Sequence, residues 1–129
     1  MYNKQNTAAL SIARAHIKAW SNHDFKAAKQ LLADDVKVVT MTTQPIMDSV
    51  NTKGADIYMQ GLEQFARGVE VGSAKELSAV GDSHNALIAL TVRASFGPGT
   101  PTVTLPGARL YLIEDNKIKS EQVIFYASE

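Results

Sequence analysis

Two side chains that can carry protons, His16 and Glu121, lie in predominantly apolar stretches of the sequence. The residues around His16 have the spacing of an amphipathic helix, and Glu121 alternates with Val123 and Phe125 as in a β-strand. An imidazole and a carboxylate that meet in an apolar cavity can form a general base with its orienting partner. They can equally form a buried pair without a catalytic role, so both interpretations stay open.

The direction of the Glu121 side chain depends on which alternate residues of the last strand face inward. The pattern favours Glu121, Val123 and Phe125 on the inner face. A shift of one residue turns every side chain of a strand to its other face. Gln122 and Tyr126 would then face inward instead.

The first third of the chain predicts a helix, a capped turn, a second helix and a strand. Asp24 is placed to accept hydrogen bonds from the free N–H groups at the start of the second helix. Residues 36–41 then alternate as in a strand and include several β-branched side chains. The apolar face of the first helix consists of Ala9, Leu10, Ala13, His16, Ile17 and Trp20.

The second half of the chain predicts strands at residues 75–80, 85–96, 102–114 and 118–127. The second of these strands is almost continuously apolar, which predicts that it is covered on both faces. Pro106 and Gly107 interrupt the third strand. A bulge or bend is expected there, because proline cannot donate a hydrogen bond to a neighbouring strand.

The start of the third helix can be placed in two ways. We place it at Gly61, with the helix over residues 61–69, because a glycine inside a helix costs about 1 kcal/mol relative to alanine. The competing interpretation is a helix that begins at Asp56. It would carry Tyr58, Leu62, Phe65 and Val69 on one face.

The order of these segments resembles the NTF2-like superfamily and, within it, the SnoaL-like domains, which are similar to polyketide cyclases and ketosteroid isomerases. The segments that carry the resemblance are residues 16–25, 31–39, 61–69, 116–118 and 121–126. The resemblance covers nearly the whole chain and implies one domain over residues 1–129. It implies an α+β fold in which a cone-shaped, strongly curved mixed β-sheet is closed by about three helices around a pocket.

The resemblance also implies which side chains face the pocket. His16 and Glu121 are the candidate catalytic pair. The candidate ligand-binding residues are Trp20, Thr40, Tyr58, Met59, Phe65 and Phe125. Trp20 also fits a plain core position. Residues 43–53, which lack a periodic apolar face, are predicted to form a mobile flap that gates the pocket mouth.

The ketosteroid isomerase mechanism is not expected here. By similarity to those enzymes, the positions of their two oxyanion residues and their catalytic base fall at His16, Ala108 and Thr40. A threonine cannot take the substrate proton, and an alanine cannot donate a hydrogen bond. Arg93 and Glu63 could resemble the Arg–Asp pairs of epoxide hydrolases with this fold, but the Arg-x-Asp spacing is absent.

Several residues are predicted to lie outside the pocket. Arg109 alternates with Ala108 and Leu110, which are predicted to face inward, so Arg109 should face away. His23 and His84 fall at predicted turns, where they should be solvated. Neither has a partner at a ligand-like spacing, so no metal site is predicted. No phosphate-binding or cofactor motif is present either, and no cofactor is predicted.

Composition limits the remaining choices. The chain has 129 residues and 13 basic side chains that balance 13 acidic ones, so a nucleic-acid partner is not expected. It contains no cysteine, which excludes disulfides and thiolate chemistry. No segment has the length and apolar character of a signal peptide or a membrane span. We expect a cytoplasmic protein without a membrane partner.

The sequence therefore predicts a small-molecule pocket protein of the SnoaL-like type. It would bind or transform a small, mostly apolar ligand by acid–base chemistry. The alternatives are a ligand-binding domain without turnover and a dimerisation or association module. A homodimer is expected, with the last three strands at its centre.

Overall fold

The computed structural model describes residues 8–42 and 50–125 of the chain. In this part of the chain the helices are α1 (Ala8–Ser21), α2 (Phe25–Gln30) and α3 (Ala55–Arg67). The strands are β1 (Leu32–Thr42), β2 (Val50–Lys53), β3 (Lys75–Gly81), β4 (Asn85–Ala94), β5 (Val103–Glu114) and β6 (Lys117–Phe125).

The strands form one sheet in the order β2-β1-β6-β5-β4-β3. β1 and β6 are parallel, and all other neighbours are antiparallel. The α+β class, the mixed sheet and the helices predicted by the resemblance are confirmed. None of the helices in the described ranges is long and apolar enough to cross a membrane.

The local predictions for the first third of the chain are confirmed. All six residues predicted for the apolar face of α1 are buried, with at most 8% of their surface exposed. The carboxylate of Asp24 accepts a hydrogen bond from the backbone N–H of Ala27 at 3.2 Å and so caps α2. Val36 and Val38 of β1 are buried, and the exposed Lys37 lies between them.

The predicted start of the third helix at Gly61 is wrong, because α3 begins at Ala55 and Gly61 lies inside it. The competing interpretation is close to the observed helix. Gly54 precedes α3 with a φ of 104°, a conformation that favours glycine and turns the chain into the helix. A Cβ atom at Gly61 would meet no other atom within 4 Å, so this glycine borders open space.

Within residues 8–42 and 50–125, the apolar strand β4 is covered on one face only, so the prediction of cover on both faces is not confirmed there. Its residues alternate in burial: Ile88 is 1% exposed and Leu87 is 40% exposed.

The prediction of a bulge or bend at Pro106 is also wrong. Pro106 and Gly107 pair with Thr91 and Leu90 of β4 without a shift in register. Within the described residues, the pairing of β5 with β6 reaches the Gly107–Phe125 pair. The register shift between β5 and β6 falls at Leu112 and Ile113, which pair with Ser120 and Ile118, so the extra residue is Lys119 in β6.

The predicted flap and the end of the last strand fall partly outside the described residues. Residues 50–53 of the flap form β2, whereas residues 43–49 lie in the undescribed part of the chain. β6 ends at Phe125, and the predicted continuation to residue 127 lies outside the described ranges.

Candidate ligand-binding site

A cavity of about 200 Å³ lies between α3 and the face of the sheet that the helices cover. We call it the main cavity. Its wall is mostly apolar, and hydroxyl or guanidinium groups are supplied by two threonines, one tyrosine and one arginine. The lining residues are Val38, Thr40, Thr52, Ile57, Tyr58, Gly61, Leu62, Phe65, Arg109, Val123 and Phe125.

The helical repeat of α3 and the strand register bring these side chains together. Tyr58, Leu62 and Phe65 are separated by four and three residues, so they share one side of α3. Across the sheet, Arg109 lies opposite Val123, and Val123 is the register partner of Thr40. Residues directly opposite one another share a face of the sheet, which places this row under α3.

A second row of the sheet lies next to the first. Tyr111 pairs with Glu121, Glu121 with Val38, and Val38 with Thr52. Tyr111 and Glu121 are almost fully buried. In the described part of the chain, the buried hydroxyls of Tyr111 and Thr52 have no hydrogen-bond partner.

Glu121 is the centre of a buried hydrogen-bond cluster. Its Oε2 accepts from Nη1 of Arg109 at 2.5 Å, and its Oε1 accepts from the hydroxyl of Tyr58 at 2.6 Å. Nη1 of Arg109 also donates to the Tyr58 hydroxyl at 3.4 Å. The guanidinium carbon of Arg109 lies 4.5 Å from the centroid of the Trp20 ring, a cation–π contact.

The prediction that Arg109 faces away from the pocket is wrong, because Arg109 is 4% exposed and Leu110 is 36% exposed. Arg109 alternates with Tyr111 and Ile113, which are also buried, so regular alternation within β5 turns it inward. Regular pairing from Ile113 and Ile118 would place Glu121 opposite Leu110, but an extra residue in β6, Lys119, places it opposite Tyr111. The shift therefore turns Glu121 to the face that Arg109 occupies.

The cluster stabilises the ionised form of Glu121. Burial acts to raise the pKa of this carboxyl, but Arg109, His16 and the Tyr58 hydroxyl together hold it below its ordinary value. The pKa of Arg109 is raised although burial opposes its charge, because Glu121 lies next to it. Burial and the Glu121 charge raise the pKa values of Tyr58 and Tyr111 well above 10, so both are neutral at pH 7.

His16 lies in the same cluster but makes no hydrogen bond to Glu121. Among the described residues, neither of its buried ring nitrogens has a hydrogen-bond partner. The ring lies 6.3 Å from the Tyr58 ring and 6.0 Å from the Tyr111 ring, measured between centroids. Burial and the charge of Arg109 lower the pKa of His16 to about 4, although the charge of Glu121 acts to raise it. The imidazole is therefore neutral at pH 7.

A profile of the SnoaL-like domain family matches residues 13–121 of the chain. The chain belongs to the SnoaL-like domain family. The family identified from the sequence motifs is therefore confirmed. A search of curated proteins found no match.

Solved structures show the same fold. A protein from Kribbella flavida DSM 17836 is 28% identical, with a TM-score of 0.77 over 92% of this chain and 87% of that one. An LEH-like epoxide hydrolase from M. tuberculosis is 20% identical, with a TM-score of 0.70 over 93% and 84% of the two chains.

A third similar structure has a ketosteroid isomerase-like fold and comes from Catenulispora acidiphila DSM 44928, in complex with trimethylamine. It is 17% identical, with a TM-score of 0.73 over 91% of this chain and 86% of that one. At these identities the second and third structures show the fold alone.

Most residues predicted to bind a ligand line the space inside this SnoaL-like domain. Thr40, Tyr58, Phe65 and Phe125 line the main cavity. Trp20 lines a smaller cavity beside it. Met59 is buried but lines neither space, because it follows Tyr58 on the helix and points elsewhere.

Neither member of the predicted catalytic pair lines the main cavity. His16 and Glu121 lie behind its wall, next to Tyr58 and Arg109, which do line it. Glu121 is buried on the predicted face, so the alternative with Gln122 inward is excluded. The catalytic roles of His16 and Glu121 stay a prediction.

The sequence interpretation of this SnoaL-like domain missed Arg109 and Thr52. A signal for Arg109 was present, since Arg109 and Tyr111 are two residues apart and the strand they share turns directly into the strand of Glu121. Using it required the register shift, which the sequence does not show. Thr52 is brought to the cavity by the pairing of β2 with β1.

The other candidate residues lie away from the cavity. His23 is half-buried, and its Nε2 lies 3.0 Å from the carbonyl oxygen of Val69, so the prediction that it is solvated is wrong. His84 is exposed, as predicted. Arg93 is exposed and donates to the hydroxyl of Thr104. Within residues 8–42 and 50–125, no group of three side chains is arranged to bind a metal ion.

Proposed function

We propose that this SnoaL-like domain binds a small, mostly apolar molecule in the main cavity. The observation that carries the proposal is a space of about 200 Å³ with an apolar wall, bordered at one side by Tyr58 and Arg109. Ligand pockets are typically concave and apolar, with a few polar groups that orient the ligand. An apolar cavity of about 150 Å³ holds benzene, so a substituted benzene ring sets the scale of the ligand.

Gly61 supports this proposal because it keeps the cavity open. It lies inside α3, where alanine would be the more stable residue by about 1 kcal/mol. Its missing side chain leaves space on the cavity wall, with no atom within 4 Å of the position of a Cβ. A larger side chain at this position would fill the cavity without displacing the backbone.

The test is the binding of para-fluoroethylbenzene, followed by fluorine NMR. The unmodified protein should bind this probe, and Gly61→Leu should weaken binding by about tenfold or more because the leucine occupies the same space. Gln64→Leu is the matched control, since Gln64 is exposed on α3 and does not line the cavity. Equal binding by both variants would contradict the proposal.

The cluster favours binding over turnover. Both oxygens of Glu121 accept hydrogen bonds, and the lowered pKa of this carboxyl makes it a weak base. His16 has free ring nitrogens, but it does not line the main cavity. The two tyrosines keep their protons at pH 7.

Acid–base chemistry is our second candidate function, and the neutral, unpartnered imidazole of His16 favours it. The test is the exchange of hydrogen for deuterium beside the carbonyl group of para-fluorophenylacetone, followed by NMR. The protein should accelerate this exchange, and His16→Phe should abolish the effect while Gln64→Leu keeps it. An exchange rate equal to that in buffer alone would remove this candidate.

We also propose that two copies of the chain form a homodimer through the outer face of the sheet. Val80, Leu87 and Leu110 are register partners on neighbouring strands, and they are 63%, 40% and 36% exposed. Such a row of exposed apolar side chains is typical of an association surface. A two-fold dimer would cover β4 on its second face, and the last three strands would lie at or beside the contact.

Sedimentation tests the dimer. The unmodified chain should sediment as a dimer at concentrations on the order of tens of micromolar. Leu87→Lys should shift it to the monomer, because it would bury an unpaired charge at the contact. Gln64→Lys, on the exposed side of α3, should leave the dimer unchanged. A monomeric unmodified protein would contradict the proposal.

A further inference from the structure

A second cavity lies between α1 and the strands β3 and β4. Its volume is about 240 Å³, and we call it the edge cavity because β3 is last in the strand order of the sheet. None of its lining residues lines the main cavity. The edge cavity is therefore a separate space from the one that the proposed function uses.

The floor of the edge cavity is apolar. Ile88 and Leu90 alternate along β4, so both point to the face of the sheet that the helices cover, and both are buried. Ile17 of α1, which is also buried, adds to this apolar surface. Such a surface favours the binding of an apolar group, because binding removes both from water.

A bulge in β3 brings a carboxylate to this cavity. Glu76 pairs with Leu90 of β4. Ser78 pairs with the neighbouring residue Ala89, so Leu77 is an extra residue in β3. Regular pairing would place Leu77 opposite Leu90, but the bulge turns Glu76 to that face and leaves Leu77 58% exposed. The strand therefore presents a charged group where an apolar one would otherwise lie.

Glu76 fixes the orientation of Arg14 at the cavity. Its two carboxylate oxygens accept hydrogen bonds from Nε and Nη2 of Arg14 at 2.8 and 3.0 Å. This bidentate pair links α1 to β3 and holds the guanidinium group in a defined plane. Nη1 of Arg14 makes no hydrogen bond to Glu76, so it can donate to a further acceptor.

Lys18 supplies a charge that the cavity does not neutralise. It follows Arg14 by four residues, so the two cations lie on the same side of α1. Among the described lining residues, Glu76 is the only carboxylate and Lys18 makes no ion pair. The described lining therefore carries one net positive charge.

The end of α1 offsets this charge only in part. The C-terminal end of a helix carries about half a negative charge, which is smaller than the full charge of a lysine. The last carbonyl groups of α1 also accept hydrogen bonds already, from the backbone N–H groups of residues 22–24. The potential in the edge cavity therefore favours an anion.

Charge and volume together select the kind of ligand. One net positive charge beside an apolar floor matches a molecule with one negative charge and an apolar body. A carboxylate can accept N–H hydrogen bonds from both cations, whereas a phosphate monoester would bring a second negative charge. A cavity of about 150 Å³ holds benzene, so the larger edge cavity accommodates a benzene ring with a short chain.

We propose that the edge cavity is a second ligand site, which binds a small amphipathic monocarboxylate. The apolar body of this ligand lies on Ile17, Ile88 and Leu90, and its carboxylate accepts hydrogen bonds from Lys18 and Arg14. The main cavity does not suit the same molecule, because the cation there, Arg109, is already paired with Glu121. The two sites therefore take ligands of different charge.

The first test compares three probes by fluorine NMR. They are para-fluorophenylbutanoate, para-fluorophenylbutanamide and para-fluorophenylbutylamine, which share an apolar body and differ in charge. The butanoate should bind about tenfold tighter than the neutral amide, because hydrogen bonds between charged groups are stronger, and the amine should bind more weakly still. An amide or amine that binds as tightly as the butanoate would overturn the inference, and so would a butanoate that does not bind.

The second test changes the charge of the cavity. Lys18→Glu should weaken binding of the butanoate by about tenfold or more, because a repulsion replaces an attraction. Lys26→Glu is the matched control, since Lys26 is exposed on α2, does not line the edge cavity and changes the net charge equally. Equal weakening by both variants would show a response to overall charge alone and would overturn the inference.

The third test locates the probe in the unmodified protein. Nuclear Overhauser effects should join the ring protons of the bound butanoate to the methyl groups of Ile17 and Ile88, which line the edge cavity and not the main cavity. Contacts to the methyl groups of Val123 instead would place the probe in the main cavity and overturn the inference. This measurement decides alone if Lys18→Glu does not fold.

The two cavities can be tested independently. Gly61 lines the main cavity and not the edge cavity, so Gly61→Leu should weaken binding of para-fluoroethylbenzene and leave that of the butanoate unchanged. Failure of ethylbenzene to bind the unmodified protein would contradict the proposed function and leave the edge cavity unaffected. Loss of butanoate binding in the folded Gly61→Leu protein would overturn the assignment of the carboxylate to the edge cavity.

Discussion

Two Arg–Glu pairs in this protein have the same chemistry and different surroundings. Arg109 and Glu121 approach to 2.5 Å, and their side chains are 5% and 0% exposed. Arg14 and Glu76 approach to 2.8 Å at the surface, where their side chains are 51% and 38% exposed. The comparison shows that distance alone does not set the importance of an ion pair, because water screens the surface pair and not the buried one.

The surroundings also decide what each pair can do. Glu76 accepts from two nitrogens of Arg14, which fixes its geometry, but water competes for both groups. Around the buried pair, Tyr58 and Trp20 complete the contacts of the two charges. The buried charges therefore depend on each other, and removal of one leaves the other without water or a counterion.

The largest effect is expected for Arg109→Met. This change leaves the Glu121 carboxylate buried without its cation and should lower the free energy of unfolding by about 3–5 kcal/mol. Urea denaturation at pH 7 measures the loss. A loss below about 1 kcal/mol, in the range of a surface pair, would show that the buried pair is not special.

Acid should destabilise the protein through the same cluster. The folded protein keeps His16 neutral down to about pH 4, whereas an unfolded histidine takes up its proton near pH 6.5. The stability that His16 contributes is therefore complete above pH 6.5 and is lost as the pH falls towards 4. The loss should reach about 3 kcal/mol at most.

Glu121 adds to this loss at lower pH. Its pKa is lowered in the folded state, so its contribution is present above the ordinary pKa of a glutamate and is lost as the pH falls through the folded value. Urea midpoints measured from neutral pH to acid test both groups. His16→Phe, which fills a similar volume, should flatten the curve between the two histidine pKa values. An unchanged slope would contradict the assignment to His16.

Glu121→Gln should reveal the coupling within the cluster. The Glu121 charge raises the pKa of His16, so its removal should lower that pKa further below its ordinary value. NMR of the imidazole ring protons measures the titration. The variant should also lose about 1–3 kcal/mol of stability, because hydrogen bonds to a charged acceptor are weakened. A His16 titration that does not change would show that the two side chains do not share a site.

The smallest effect is expected for Arg14→Ala at the surface. Exposed ion pairs contribute about 0.2–1 kcal/mol, and added salt weakens them further. The loss should therefore stay below about 1 kcal/mol and shrink at high salt. A loss as large as that of Arg109→Met would remove the distinction between the two pairs.

Much of the fold could be predicted from the sequence because it is encoded locally. The apolar spacing of α1, the cap at Asp24 and the alternation in β1 each depend on residues close together in the chain. The burial of Glu121 also followed from simple alternation within β6. The presence of α3 was predicted, but its start was not. The positive φ of Gly54 lets the chain enter the helix at Ala55, and this outweighs the cost of Gly61 inside the helix.

The candidate site depended on contacts between distant segments. A single extra residue in β6, Lys119, sets Glu121 opposite Tyr111 and so places it on the face of β5 that carries Arg109. A pattern within one strand does not show such a shift, because the shift is defined by the pairing of two strands. The same reason explains why Thr52 was missed.

The sequence by itself determined the family, the α+β architecture and the burial of His16, Trp20 and Glu121, because repeating apolar positions specify which face of an element turns inward. Only the tertiary structure decided which charges meet. It brought Arg109 to Glu121 and Trp20, kept His16 unpaired and opened the main cavity beside Gly61. Pairing of this kind depends on register and packing across the sheet, where a shift of one residue changes every partner.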